Sequence, residues 1–380
     1  MIKISFYDML CYNFNRLTTP LISTVCRLRI CKIMKYQYLI PLSILALSAC
    51  TPTPPASTYQ KIDGQTMGTS YHITFELPKG ATADEIQASI DTRLDEINDS
   101  MSTYQADSTI SKFNALNAGQ TIQIDPDFIK VLSDSRLIYE KSHHGFDPTV
   151  YPLVELWGFG AKMSVERLQN PPTESEILAV RDTIGLDKIV LNGNELSKTA
   201  DGVGLDFSAI AKGYGVDTIA DVLKSKYNIT NYMVEIGGEI ATGGVNDKGL
   251  PWTLAIDKPI MGSTTANREI MTTLALSGQS MATSGNYRNS LDYDGKTYSH
   301  TINPHTASPV ENGVPSVTVI ADTTALADGW ATALTAIPQD DAIKLADEHG
   351  IIALFIIKDG DNWQTHKSQG FITFEQQGKN

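Results

Sequence analysis

Apolar and polar positions along this chain alternate with two different periods, and each switch of period marks a new element. From Tyr71 to Leu77 apolar side chains recur at every second residue, the signature of a half-buried strand. From Thr82 to Ile97 they recur at helical spacing, through Ile86, Ile90, Leu94 and Ile97. The helical pattern returns over Asp125–Ser142, where Asp125 followed by Pro126 supplies a cap and a first turn. A short helix is predicted from Ser175 to Val180, strands at Ile189–Leu191 and Gly204–Phe207, and a helix over Ala211–Ser225. Further strands are predicted at Tyr232–Ile236, Trp252–Ile256, Ile270–Ser277, Ser280–Ser284, Lys296–Thr301 and Ser316–Ala321. Helices at Thr323–Ala336 and Asp340–Glu348 and strands at Ile351–Lys358 and Phe371–Phe374 complete the chain. Runs of antiparallel-looking strands interrupted by helices predict an α+β fold, with mostly antiparallel sheets and packed helices, rather than a parallel βαβ array. With no repeat and no linker inside it, the stretch 59–376 is expected to form a single compact body.

The first fifty residues break this pattern. Lys35 is followed by an apolar run from Tyr38 to Ala46 and then by Leu47-Ser48-Ala49-Cys50. A charged start, a short apolar core and a small-residue cleavage site describe an exported precursor, and the cysteine marks a lipobox. Residues 34–49 are therefore read as a lipoprotein signal peptide and Cys50 as the lipidated first residue of the mature chain. Residues 50–58, with Pro52, Pro54 and Pro55, form a flexible tether. Residues 1–33 are an upstream extension, with Met34 the expected start and a long basic leader from Met1 the alternative. The expected location is the periplasmic face of a bacterial envelope. Thr51 after the cysteine favours the outer membrane, with the inner membrane the alternative.

Charge and cysteine content narrow the chemistry. The chain carries 30 Lys+Arg against 43 Asp+Glu, a formal charge of −13. That balance argues against a nucleic-acid partner, which would need a basic footprint. All four cysteines (Cys11, Cys26, Cys31 and Cys50) lie in the first fifty residues. The body of the chain thus has no internal disulfide, no thiolate zinc ligand and no cysteine nucleophile.

Two clusters carry candidate chemistry. Asp206-Phe207-Ser208-Ala209-Ile210-Ala211-Lys212-Gly213 runs into a helix through small residues, so helix-start amides and Lys212 can approach an anion. The alternative is a tight turn with a surface lysine. In the second cluster Asp328 and Thr332 are four residues apart and share a helix face. A carboxylate, a hydroxyl and a carbonyl suit Mg²⁺, although a helix capped by Asp322 with a solvated Asp328 reads the same way. Gly-rich turns at Trp157–Gly160, Glu235–Glu239 and Thr283–Arg288 could hug a ligand, and His300 stands beside a turn as a candidate proton carrier. His143, His144, His300 and His305 lack zinc-protease spacing, and no GxSxG elbow occurs.

Taken in order, Met67–Thr69, Met101–Tyr104, Phe146–Val150 with Trp157–Gly160, Asp206–Gly213, Glu235–Glu239, Ser284–Arg288, His300–Pro304 and Ala327–Thr332 resemble the FAD:protein FMN transferases of the ApbE family, whose fold is related to the T-fold. The resemblance covers roughly Tyr59 to Phe374. It implies a Mg²⁺-dependent enzyme that moves the FMN half of FAD onto a Thr or Ser hydroxyl of a target protein and releases AMP. The implied metal ligands are the backbone oxygen of Ala209, the side chains of Asp328 and Thr332, and the carbonyl of Ala331. The implied flavin-binding positions are Met67, Tyr104, Phe146, Asp147, Asp206, Lys212 and Ile302. Lys212 and Asp328 are expected to act in the reaction, with His300 as base or as a positioning group; His143 and His144 would shape the Phe146-Asp147 segment. Expected acceptors are flavin-accepting subunits of membrane redox complexes, of the NADH:quinone reductase or Rnf type. Phe207 and Asn303 stand where the family often has Leu and Asp, and Tyr104 favours transfer over FAD hydrolysis. A pyrophosphatase giving FMN and AMP and a non-catalytic flavin-binding lipoprotein are the alternatives.

Overall fold

A computed structural model describes residues 58–160, 170–263, 267–285, 290–293, 296–310, 314–360 and 362–378. The expected signal, Cys50 and most of the tether lie outside the described residues, as do Asn286, Tyr287 and Arg288 of the Ser284–Arg288 motif. The described residues belong to one compact unit, Pro55–Asn380.

The chain opens with β1 (Tyr59–Thr66) and β2 (Thr69–Glu76), joined by Met67-Gly68. Both turn residues have positive φ, 49° and 73°, as a two-residue hairpin turn matching strand twist requires. Then come α1 (Ala83–Met101), α2 (Thr109–Asn114), β3 (Thr121–Gln123), α3 (Pro126–Lys141), α4 (Tyr151–Trp157) and α5 (Glu174–Arg181). The middle holds β4 (Ile189–Asn192), β5 (Glu195–Lys198), α6 (Ala211–Tyr227), β6 (Tyr232–Ile236), β7 (Glu239–Gly243), β8 (Trp252–Asp257), β9 (Ile270–Leu276) and β10 (Ser280–Gly285). Short strands β11 (Ser290–Tyr293), β12 (Lys296–Ser299), β13 (Ile302–Asn303) and β14 (Ser308–Pro309) lead to β15 (Ser316–Ala321), α7 (Thr324–Thr335), α8 (Gln339–Glu348), β16 (Ile352–Asp359), β17 (Asn362–Lys367) and α9 (Gln369–Gln377).

Among the described residues the main sheet has eight strands in the order β1-β2-β6-β7-β10-β15-β16-β17, and every neighbouring pair is antiparallel. Its two faces bury different partners. Ala282, Val317, Val319 and Phe355 pack with α3, α7 and α8, whereas Met281, Ile320 and Leu354 pack with the β8–β9 hairpin and Phe371 of α9. Strand β15 is therefore buried at successive residues rather than alternate ones. At the other end Ile73, Phe75 and Val234 pack with Ile86 and Ile90 of α1 and Ile219 of α6. The mixed, mostly antiparallel architecture predicted from periodicity is the one observed.

Two predicted strands are corrected. Gly204–Phe207 lies in no sheet, because side chains and the Pro148 carbonyl satisfy part of its backbone. Asn114 donates to the Leu205 carbonyl (2.9 Å) and accepts from the Leu205 N–H (2.7 Å), buried Lys198 donates to the Val203 carbonyl (2.7 Å), and Asp206 N–H donates to the Pro148 carbonyl (2.8 Å). Phe371–Phe374 is helical: Ser368 caps α9 by accepting from the Phe371 N–H (3.1 Å), and the i, i+3 spacing of the two rings suits one helix face. Periodicity also missed β7 and the two edge strands β1 and β17, which are largely exposed or half-buried and carry little apolar alternation.

Because Asn114 closes both polar groups of Leu205, Asn114→Ala should leave them unpaired at a cost of roughly 2–4 kcal/mol. Urea denaturation followed by circular dichroism measures it; a loss below about 0.5 kcal/mol would mean water replaces Asn114 at no cost.

Candidate functional site

The site is built where the N-terminal turns of α6 and α7 meet. A Cβ on Gly213 would stand 2.4 Å from the Thr324 carbonyl oxygen and 2.8 Å from Asp328 Cβ, so only glycine allows the two helices this close. Each helix then supplies a carboxylate to the other's orphan amides. Asp328 Oδ2 accepts from the Gly213 N–H (3.0 Å), and the two oxygens of Asp217 accept from the Thr324 and Ala325 N–H groups (2.7 and 2.9 Å). The cap of α7 is Thr323, whose hydroxyl accepts from Leu326 N–H, rather than the exposed Asp322. A further tie holds α6 in place: Tyr214 and Arg93 both donate to Asp127, at 2.5 and 2.6 Å.

Between these helix ends sits a three-charge cluster. Lys212 Nζ lies 3.3 Å from Glu239 Oε1 and 3.9 Å from Asp328 Oδ2. Both carboxylates are 5% exposed and the lysine 29%. Burial works against the ammonium, but Asp328 and Glu239 outweigh it and raise Lys212 above the ordinary lysine range. Burial, opposed by Lys212 and reinforced by Asp328, pushes the Glu239 carboxyl up to about 8, and burial raises Asp328 against the pull of Lys212 and the Gly213 amide. Two buried carboxylates thus share one cation, and Glu239 Oε2 has no hydrogen-bond partner among the described residues. The cluster balances with one more positive charge, a proton on Glu239 or a bound cation.

One turn beyond Asp328 on α7, Thr332 Oγ1 lies 3.3 Å from Ser284 Oγ at the end of β10. Ala209 occupies the turn just before α6, half-buried, and Ala331 is buried with its carbonyl accepting from Thr335 Oγ1 (3.1 Å). An oxygen-rich set around an undercompensated carboxylate pair has the donor chemistry of a hard divalent cation.

The expected flavin positions fall into neighbouring groups. Met67, at the tip of the β1–β2 turn, lays its thioether against Gly215 of α6, with Cε 2.9 Å from where a Cβ would stand. Asp206 accepts from the Ser208 N–H (2.7 Å), with its backbone tied to Pro148. Tyr104 is 68% exposed; partial desolvation and then the charges of Asp206 and Glu155 raise its phenol, and the same acids act on Tyr151. Phe146 is buried with its ring 3.7 Å from the position of a Cβ on Gly329, so it offers a ligand its backbone rather than its ring. Ile302 is buried with Trp157, Phe159 and Ala307, and His300 is exposed at the bend between β12 and β13. Sequence reasoning overlooked Asp217, which no local pattern marks, and passed over Glu239, whose place after the Gly237-Gly238 turn gave no hint that it would face Lys212.

A model of the ApbE family matches residues 67–355. The chain belongs to the ApbE family. Among ApbE relatives, the FAD:protein FMN transferase of Vibrio cholerae is 37% identical over 339 residues, covering 89% of this chain and 98% of that protein. The FAD:protein FMN transferase of Haemophilus influenzae is also 37% identical, over 335 residues, covering 86% and 94%. Of solved ApbE structures, the flavin transferase from Vibrio cholerae aligns with a TM-score of 0.74 at 36% identity, covering 83% of this chain and 98% of that one. The apo form of the flavinyl transferase from Pseudomonas stutzeri aligns with a TM-score of 0.74 at 32% identity, covering 83% and 96%. The ApbE fold expected from the motifs is the fold observed.

Within this ApbE chain Asp147 is a buried acid whose Oδ1 accepts from both the Thr149 N–H (2.8 Å) and its hydroxyl (2.5 Å). Burial, opposed by the two Thr149 bonds, His144 and Lys188, raises its carboxyl from 3.8 to about 6. A raised folded-state pKa gives stability that is complete below the unfolded value and lost as pH rises through the folded one. Asp147→Asn keeps the acceptor without the charge. The stability of the variant relative to wild type should therefore increase between about pH 4 and pH 6.5, by at most about 3 kcal/mol. Denaturation across that range checks this, and parallel pH profiles would refute it.

Proposed function

We propose that the protein transfers the FMN moiety of FAD to a Thr or Ser hydroxyl of a target protein. The hydroxyl oxygen attacks the flavin-side phosphorus, the bond from that phosphorus to the bridging oxygen breaks, and AMP leaves with that oxygen. The observation that carries this reading is the buried Lys212–Glu239–Asp328 cluster at the start of α6, in a chain whose ApbE relatives bear the name of this activity. Lys212, kept protonated by its two carboxylates, offers a fixed cation to the diphosphate, and helix-start amides of α6 add partial positive charge. Asp328 and Thr332 would hold Mg²⁺, with the carbonyls of Ala209 and Ala331 as the implied further ligands. The ion, when bound, supplies charge neutralisation at the diphosphate. Met67, Tyr104, Phe146, Asp147, Asp206 and Ile302 would position the flavin half, and Tyr104 supports transfer to a protein rather than to water. His300, exposed next to this region, takes the hydroxyl proton or orients the acceptor.

The lipobox pattern of the first fifty residues supports an envelope setting. Export and lipidation at Cys50 would hold the enzyme at the periplasmic face of the envelope, within reach of flavin-accepting subunits of NADH:quinone reductase or Rnf type. The membrane contact assigned here is the lipid, since among the described residues no helix is long and apolar enough to cross a bilayer.

Incubation with FAD, MgCl₂ and an acceptor domain should give equal amounts of AMP and of covalently fluorescent protein. Asp328→Asn should lower both by about 10²-fold or more. AMP without labelled protein would make the enzyme a pyrophosphatase, and FAD binding with no AMP would make it a flavin carrier.

A further inference from the structure

On the far side of α7 from this chemistry, the structure assigns a second metal site, which we propose binds a borderline divalent ion such as Zn²⁺ through His143, Glu348 and His349. One ring nitrogen of each histidine and a carboxylate oxygen of Glu348 lie within 4.8 Å of one another. A tetrahedral Zn²⁺ with bonds of about 2.0–2.2 Å separates its ligand atoms by roughly 3.4 Å, so closure needs side-chain movements on the order of 1 Å. Two of the three side chains are exposed and free to make such movements.

Two further observations point to a cation there, and a third marks the backbone that presents His143. First, the Nε2 atom of His349 is buried and has no hydrogen-bond partner among the described residues. Its ring leans on Trp330 of α7, with centroids 5.8 Å apart, which fixes its direction. Second, two helices end at this point. His143 follows the C-cap of α3, and His349 is the C-cap of α8. The last carbonyls of both helices bring negative partial charge to one place. Third, His143 and His144 both adopt left-handed backbone angles, φ 51° and 67°, at a helix end where glycine is the usual solution. His144 stacks flat on Tyr139, with centroids 4.1 Å apart and planes at 7°, and is not one of the three clustered groups.

The donor sets sort the metals. Two imidazoles and one carboxylate suit Zn²⁺ and its neighbours, whereas the Asp328 site offers only oxygen and suits Mg²⁺. Three protein ligands leave a fourth position for water. An ion there would join the end of α3 to the end of α8, and both of these helices pack on α7, which carries Asp328 and Thr332.

The test is Zn²⁺ titration of the full chain in excess Mg²⁺, with a competing chromophoric chelator, repeated with Co²⁺ for its visible absorption. Wild type should bind one Zn²⁺ at this site and gain thermal stability from it. His143→Gly, which relaxes the left-handed backbone and so preserves the fold, and His349→Asn should each weaken binding by about tenfold or more and abolish the thermal gain. Asp328→Asn should leave Zn²⁺ affinity unchanged. Equal affinity in wild type, His143→Gly and His349→Asn would overturn the proposal, as would loss of Zn²⁺ binding in Asp328→Asn alone.

Discussion

The contact between α6 and α7 at Gly213 is the constraint on which the rest of the site depends. Without a side chain at that position the helix ends approach closely enough for each to be capped by the other's carboxylate: Asp328 on the Gly213 amide, Asp217 on those of Thr324 and Ala325. Capping of this kind satisfies donors that a helix cannot satisfy itself. It also fixes two acids that have different consequences. Asp217 is spent on structure, while Asp328 has an oxygen bonded to backbone and still faces Lys212.

The sheet supplies the third member. Glu239 opens β7 straight after the Gly237-Gly238 turn, and its burial beside Lys212 concentrates two acids around one ammonium. Burial makes that charge balance costly on its own, and in the proposed function the same cost would become affinity when a cation and an anionic diphosphate arrive together. In the proposed reaction Lys212 and the α6 amides would face the anion, and the oxygen donors of α7 would face the cation. Phosphoryl transfer asks a protein for this division of labour more than for covalent chemistry.

Much of the architecture was legible in the sequence because helices and half-buried strands carry distinct periods. Helices α1, α3, α6, α7 and α8 and strands β2, β6 and β15 follow from such patterns. The failures have two causes, one distant and one local. Gly204–Phe207 looks like a strand, yet Asn114, 91 residues earlier in the chain from Leu205, takes the place of a neighbouring strand. Phe371 and Phe374 look like a strand end until the Ser368 cap is seen. For the site, the small-residue run at Ala209–Gly213 and the Asp328–Thr332 pair were visible, since their spacing has local meaning. Asp217 and the pairing of Glu239 with Lys212 were not, because both arise only when distant segments pack.

The central claim is that the interlocked helix ends set the geometry of the cation site, and Asp217 tests it because its carboxylate bonds the start of α7 rather than the charged groups of that site. Asp217→Asn keeps the shape but offers an amide donor where an acceptor is needed. The decisive measurement is the Mg²⁺ concentration dependence of AMP release from FAD by this variant, at temperatures where circular dichroism shows it folded. The account predicts that half-maximal activity requires about tenfold more Mg²⁺ than in wild type. An unchanged Mg²⁺ requirement in folded Asp217→Asn would contradict it.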